Sequence, residues 1–192
     1  DGDPTKRAEA IDLYEQYLRF QPNDEQAGQR YAQLLVEQYK AQPTDTTAVQ
    51  AIHGIESFLR RFPDNPAHRR ELAAIYLKSG RIPSAREHLN VLFNSTGGDL
   101  KNDVELREMA ALCALREGDL TEATQQLKLA IDTRQAPVRI YQQALDLLHR
   151  NKADSRREVT IAEYVRTLLE EPRFKNNLEA RIAAARFELF RG

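Results

Sequence analysis

The sequence predicts an all-α fold: an array of nine to ten helices arranged as antiparallel pairs. Three observations predict it. Apolar residues recur at spacings of three and four, the period of a helix with one buried face. Glycine and proline stand between these stretches and not within them. A similar set of small and large residues also returns at intervals close to the length of a helix pair. No run of alternating β-branched residues bounded by turns competes with this reading.

Taken in order, Lys6 to Phe20 places Ala10, Leu13, Tyr14, Tyr17 and Leu18 on one face and ends at Gln21-Pro22-Asn23-Asp24. Glu25 to Lys40 repeats the pattern through Tyr31, Leu34, Leu35 and Tyr39. After Pro43, Thr44-Asp45 caps a third helix carrying Val49, Ile52, Ile55, Phe58 and Leu59, which stops at Phe62-Pro63. Further helices are expected over 67–79, 83–94, 104–117, 120–133, 138–150, 156–171 and 176–190. Gly80 and Gly118 stand where a helix turns back, a left-handed position that glycine takes without a Cβ penalty. Pro83 falls in a first helical turn, where its missing N–H is not needed. Asp119 with Glu122, and Ser155 with Glu158, have the spacing of capping boxes.

The 28 Lys and Arg residues against 29 Asp and Glu leave a net charge of −1, which disfavours a nucleic-acid protein. A mean hydropathy of −0.63 leaves no apolar run near the roughly 20 residues of a membrane span. A single cysteine excludes an internal disulfide framework. The chain opens Asp1-Gly2-Asp3-Pro4 without an initiator methionine, so it reads as a segment of a longer protein.

Five helices share a small alanine followed by large residues: Ala10, Ala51, Ala85, Ala123 and Ala162. When Gly80 is aligned on Gly118, more agrees. Leu72-Ala73, Tyr76, Ala85, Leu89 and Leu92 match Ala110-Ala111, Ala114, Ala123, Leu127 and Ala130. Small residues let the two helices of a pair approach, and larger ones fill the gap to the next pair. The run Leu72-Ala73-x-x-Tyr76-x-x-x-Gly80-x-x-x-x-Ala85-x-x-x-Leu89-x-x-Leu92 resembles the tetratricopeptide repeat (TPR). Ala10, Tyr14, Tyr17 and Pro22, and again Ala51, Ile55, Phe58 and Pro63, fit its second half. The resemblance spans nearly the whole chain as one domain, with its best repeats at 66–99 and 104–137. It is degenerate over 6–24, 25–65, 138–175 and 176–192, and the tryptophan common in such repeats is absent.

The resemblance implies a right-handed α-solenoid, a TPR-like superhelix that binds a peptide or helix of another protein in a concave groove. The groove would be lined by the first helix of each pair. Mapped onto this sequence, it would take Gln29, Gln33, Arg70, Leu77, Glu108, Leu112, Leu115, Arg139, Gln142 and Asp146, with Gln26, Val36, Ala67, Ala74, Glu105 and His149 on the same faces. A catalytic role is not expected. The four histidines, His53, His68, His88 and His149, have no metal-ligand spacing, and Cys113 sits among small core positions. Gly97-Gly98 lacks the lysine of a phosphate loop, and Asn94-Ser95-Thr96 is formally a glycosylation acceptor. Neither cofactor nor metal is expected.

Two other roles stay open: a structural or oligomerising segment, and a regulatory arm of an enzyme encoded elsewhere in the same polypeptide. Ile182, Ala183, Phe187, Leu189 and Phe190 make the last helix apolar, so the protein is expected to continue past it or to self-associate there. TPR proteins that hold the acidic tails of heat-shock chaperones do so with a lysine, asparagine and arginine clamp. The matching positions here hold Gln29, Gln33, Glu105 and Met109. Titration with such a tail peptide at moderate salt is therefore expected to show no tight binding.

Overall fold

The computed structural model describes residues 4–95, 100–151 and 156–188. Among them the chain forms ten α-helices and no strand: α1 (Pro4–Phe20), α2 (Glu25–Ala41), α3 (Asp45–Arg61), α4 (Pro66–Lys78), α5 (Ile82–Asn94), α6 (Val104–Glu117), α7 (Leu120–Asp132), α8 (Val138–Arg150), α9 (Arg157–Glu170) and α10 (Leu178–Glu188). Single 3-10 turns lie at Leu100–Asn102 and Pro172–Phe174. The chain divides into two compact units, Asp1–Ser95 with α1 to α5 and Thr96–Gly192 with α6 to α10. Within each unit every helix packs on its sequence neighbour. In addition, α2 touches α4 and α8 touches α10, so first helices of successive pairs lie side by side.

Local chemistry sets the helix ends. Asp24, Asn65, Asp103 and Asn177 each accept the backbone N–H three residues on, at 2.9 to 3.0 Å, satisfying a donor that the helix start leaves free. At Thr44 and Thr47 a full capping box forms. Only half of the expected box at Asp119 is made. Asp119 accepts from the Glu122 N–H, while the Glu122 carboxylate accepts from Gln126 four residues on. Ser155 lies outside the described residues. Gly80 and Gly118 both adopt positive φ, 72° and 82°. Each is followed by a residue whose N–H reaches five residues back, Arg81 to Tyr76 and Asp119 to Ala114, at 2.9 Å. The two turns are therefore the same left-handed helix stop.

The repeat pattern is legible in burial. Ala51, Ala85 and Ala123 are fully buried, as are their following partners Ile55, Leu89 and Leu127. Ala10 and Ala162 are only half-buried. In α9 the buried face runs through Ile161, Val165 and Leu168, so the match to Ala162 falls one residue off it. In unit 1, α2 and α3 approach closely. A Cβ on Gly28 would stand 3.2 Å from the Phe58 ring, and one on Gly54 would overlap Leu35 Cδ1.

Unit 2 centres on Tyr141, Leu145, Leu148, Leu127 and Leu168, with Ala183 and Phe187 of α10 completing the same core. A buried polar link joins it to the turn before α10. Tyr141 donates to the Glu171 carboxylate at 2.6 Å, Arg173 donates to the same carboxylate, and Arg173 also reaches the Ala136 carbonyl at 2.7 Å. Burial and the Glu171 bond push the Tyr141 hydroxyl well above the usual phenol range.

Gly-to-Ala in a helix interior ordinarily gains about 1 kcal/mol. At Gly54 the sign should reverse, because the added methyl meets a buried Leu35. Gly54→Ala is expected to lower stability by about 1–3 kcal/mol in urea unfolding, the usual cost of overpacking.

Candidate functional site

In unit 1 the facing sides of α2 and α4 enclose a recess of about 430 Å³. Helix periodicity carries Gln29, Gln33 and Val36 to it from α2, and Ala67 and Arg70 from α4. Two contributions were not foreseen. Lys40 Nζ donates to Glu71 Oε1 at 2.8 Å, tying the end of α2 to α4. The floor holds His68, only 8% exposed. Its ring packs 4.8 Å from Phe58, and burial holds its proton affinity below the usual imidazole range. Behind the floor, the His88 ring stacks on Tyr76 at 5.6 Å, with its Nδ1 3.3 Å from Arg69. Tyr76 donates to Glu56, and burial followed by that bond pushes its hydroxyl up to about 12.

Unit 2 repeats the charged tie. Arg139 of α8 grips the Glu108 carboxylate of α6 in two-pronged fashion, at 2.7 and 3.2 Å, and Gln143 adds a third bond at 3.2 Å. Donating to the Glu108 carboxylate raises the proton affinity of Arg139 further. Asp146 lies 3.7 Å from Arg186 of α10. Lys40 and Glu71, and Glu108 and Arg139, are both 31 residues apart. Opposite charges at that offset, just short of one repeat, are the sequence signal that would have revealed these ties.

The remaining expected contacts divide by burial. Leu112 is 36% exposed, Leu115 lies half-buried against the unit 2 core and Gln142 is half-buried. Leu77, at 8% exposed, packs inside unit 1 and offers a ligand little surface. The stripe on α1 also differs from expectation. It reads as a core face, yet Leu13 and Tyr17 stay exposed and, with Ala10 and Tyr14, line an open recess of about 680 Å³ beside Gln26 and Arg30. Only Ile11 of α1 is buried, because α2 is the sole helix packed closely on α1. On α10, Ile182 is exposed while Ala183 and Phe187 are core; Leu189 and Phe190 lie outside the described residues, as do Thr96 to Asp99.

Cys113 is fully buried on α6. Among the described residues no group of three or more His, Cys, Asp or Glu side chains is placed to hold a metal ion. No helix among them is long and apolar enough to cross a membrane. Because Leu77 is core, Leu77→Ala is expected to cost about 2–5 kcal/mol of stability. Gln33→Ala, at an exposed position, should shift stability by less than about 0.5 kcal/mol. Chemical denaturation of both variants separates the two.

The tetratricopeptide-repeat family matches residues 50–99, which take in most of α3 and the whole of α4 and α5. Among curated proteins none matches the chain. The solved structure described as "MamA RS-1 ArsTM double mutant" shares 16% identity and gives a TM-score of 0.68, with 89% of this chain and 88% of that one aligned. PilF of Pseudomonas aeruginosa gives a TM-score of 0.49 at 18% identity, over 96% of this chain and 91% of its own. At 16% identity the MamA likeness is one of fold. Residues 50–99 thus match the tetratricopeptide-repeat family directly, and the chain has the fold of a TPR-like array of helix pairs, with glycine stops of the same geometry after α4 and α6.

Proposed function

We propose that this protein captures a peptide or helix of another protein on the facing sides of its first helices. TPR proteins bind other proteins and are generally non-catalytic scaffolds. The observation that carries the reading is the α2–α4 recess, where Gln29, Gln33, Val36, Ala67 and Arg70 line one concavity. In unit 2 the corresponding face offers Leu112 as an exposed apolar anchor beside Leu115, Gln142 and the Glu108–Arg139 pair. Apolar anchors among amides and charges suit an extended peptide or an amphipathic helix.

The arrangement also bears on what selects the ligand. The charges on these faces are largely engaged within the protein: Lys40 with Glu71, Arg30 with Glu37, Glu108 with Arg139 and Asp146 with Arg186. Ligand selection then rests on amides and apolar contact more than on net charge. Affinity should accordingly change less than about threefold between low and physiological ionic strength, since screening acts mainly on exposed unpaired charges.

Co-purification with the full-length protein as bait identifies the partner. Arg70→Glu and Leu112→Asp are then expected to lose it while circular dichroism shows unchanged helicity. Retention of the partner by both variants would sink the reading.

A second reading has its own support: the exposed Leu13, Tyr17 and Phe20 on α1, and Leu178 and Ile182 on α10, suit self-assembly. Removing 176–192 is no clean test of it, because Ala180, Ala183 and Phe187 belong to the unit 2 core. Solution mass of Leu13→Ser and Ile182→Ser across a concentration range is the cleaner one, and a wild-type monomer throughout would eliminate self-assembly.

A further inference from the structure

Among the described residues four helix pairs are complete: α2–α3, α4–α5, α6–α7 and α8–α9. The remaining helices, α1 and α10, have no such mate. α10 packs on α8 and α9 as α4 packs on α2 and α3, so it stands as the first helix of a further pair. α1 meets α2 as α3 meets α4, so it stands as a second helix. Each leaves open the face that its counterparts bury.

On α1 that face is Ala10, Tyr14 and Tyr17. The matching residues of α5 (Ala85, Leu89, Leu92) and α7 (Ala123, Leu127, Ala130) are all buried. Ala10 and Tyr14 are only half-buried, and Tyr17 is 45% exposed. For α10 the register is set by its cap, because Asn65, Asp103 and Asn177 cap α4, α6 and α10 in the same way. The eighth residue after the cap is alanine in all three: Ala73, Ala111 and Ala185. Ala73 and Ala111 are buried, as are Tyr76 and Ala114 at the eleventh position. At the fourth, Arg69 reaches His88 of α5 at 3.3 Å, and Arg107 reaches Gln126 of α7 at 2.7 Å. Their counterparts on α10, Arg181, Ala185 and Glu188, are all exposed.

We propose that α10 of one copy seats on the open face of α1 of a second copy, so that the two helices complete a fifth pair between them. The proposal rests on the self-assembly reading above and names the faces that reading leaves open. The seat is the recess of about 680 Å³ between α1 and α2. It is long enough, since α1 has 17 residues and α10 has 11, about 25 and 16 Å of helix. Its small residues match: Ala185 with Ala10 repeats the combinations Ala73 with Ala85 and Ala111 with Ala123. Leu13, three residues after Ala10, stands where α5 and α7 carry His88 and Gln126. The signs of charge agree as well. Along α2 the seat is bordered by Asp24 and then Arg30, and along α10 Arg181 is followed by Glu188. As first helices the two would run parallel, with opposite charges abreast. The two faces differ, so the contact is heterologous. One helix pair buries less than a standard interface, so association is weak and rises with concentration.

The test follows sedimentation of the whole 192-residue chain across a concentration range. The wild type is expected to assemble. Leu13→Glu blocks the α1 face and Ala185→Glu blocks the α10 face. Each alone should raise Kd by about a hundredfold, because the contact would bury an unpaired carboxylate. Both positions are exposed, so circular dichroism should show unchanged helicity. Mixing the two variants decides the pairing. The Leu13→Glu chain keeps its α10 face and the Ala185→Glu chain keeps its α1 face. Together they should form a dimer of one chain each, near the wild-type Kd, and nothing larger. A wild type that stays monomeric throughout overturns this inference together with the self-assembly reading. A wild type that assembles while the mixture does not, or while either variant alone assembles as well as it does, overturns only the pairing of α10 with α1. Assembly that survives Ala185→Glu but not Ile182→Ser does the same and places the contact on another face of α10.

Discussion

Close approach between helices is the constraint on which the rest of the structure depends. Where α2 meets α3, Gly28 faces the Phe58 ring and Gly54 faces Leu35, with no room for a further carbon at Gly54. Ala51, Ala85 and Ala123 continue the theme as fully buried small residues on successive second helices. Interiors are packed as densely as organic crystals, so a small residue at one position fixes how near the neighbouring helix can lie. The larger Ile55, Leu89 and Leu127 then fill the space that this approach defines. Every later feature, including the α2–α4 recess, inherits its width from these contacts.

The polar groups follow from the same geometry. Once first helices lie side by side, charges 31 residues apart come within reach, as Lys40 and Glu71 do in unit 1 and Glu108 and Arg139 in unit 2. Exposed pairs of this kind add little stability singly. Their larger consequence is that they occupy charges a ligand might otherwise meet, leaving Gln29 and Gln33 in unit 1 and Leu112 in unit 2 as the more available chemistry. His68 reaches the recess floor for a related reason: the third position of α4 turns towards α2 once the two helices touch.

Much of this was legible in the sequence because the information is local. Spacings of three and four, together with Asp24, Thr44, Asn65, Gly80 and Gly118, set helix identity and helix ends through bonds spanning at most five residues. The small-residue register of the central repeats was equally readable, since Ala85 and Ala123 sit at the same distance from glycine stops of the same geometry. The same local logic misplaced the terminal helices. Ala162 has the right spacing but lies off the buried face, and Leu13 has a core-like stripe position but no helix against it. Periodicity states that a face is apolar; it does not state whether anything covers it.

The sequence by itself therefore determined that this is an all-α chain of TPR-type helix pairs, which residues end each helix, and which small positions lie between helices. Tertiary structure alone decided which groove residues face open space. Leu77 and Leu115 occupy matching positions on α4 and α6, yet one is core and the other only half-buried. It also decided that Glu108 is held by Arg139 and Gln143, and that His68 is shared between Asn65 and Phe58. The physical reason is range. Helix formation is governed by contacts within a few residues, whereas burial and side-chain partners depend on groups brought from the next helix pair, some thirty residues away.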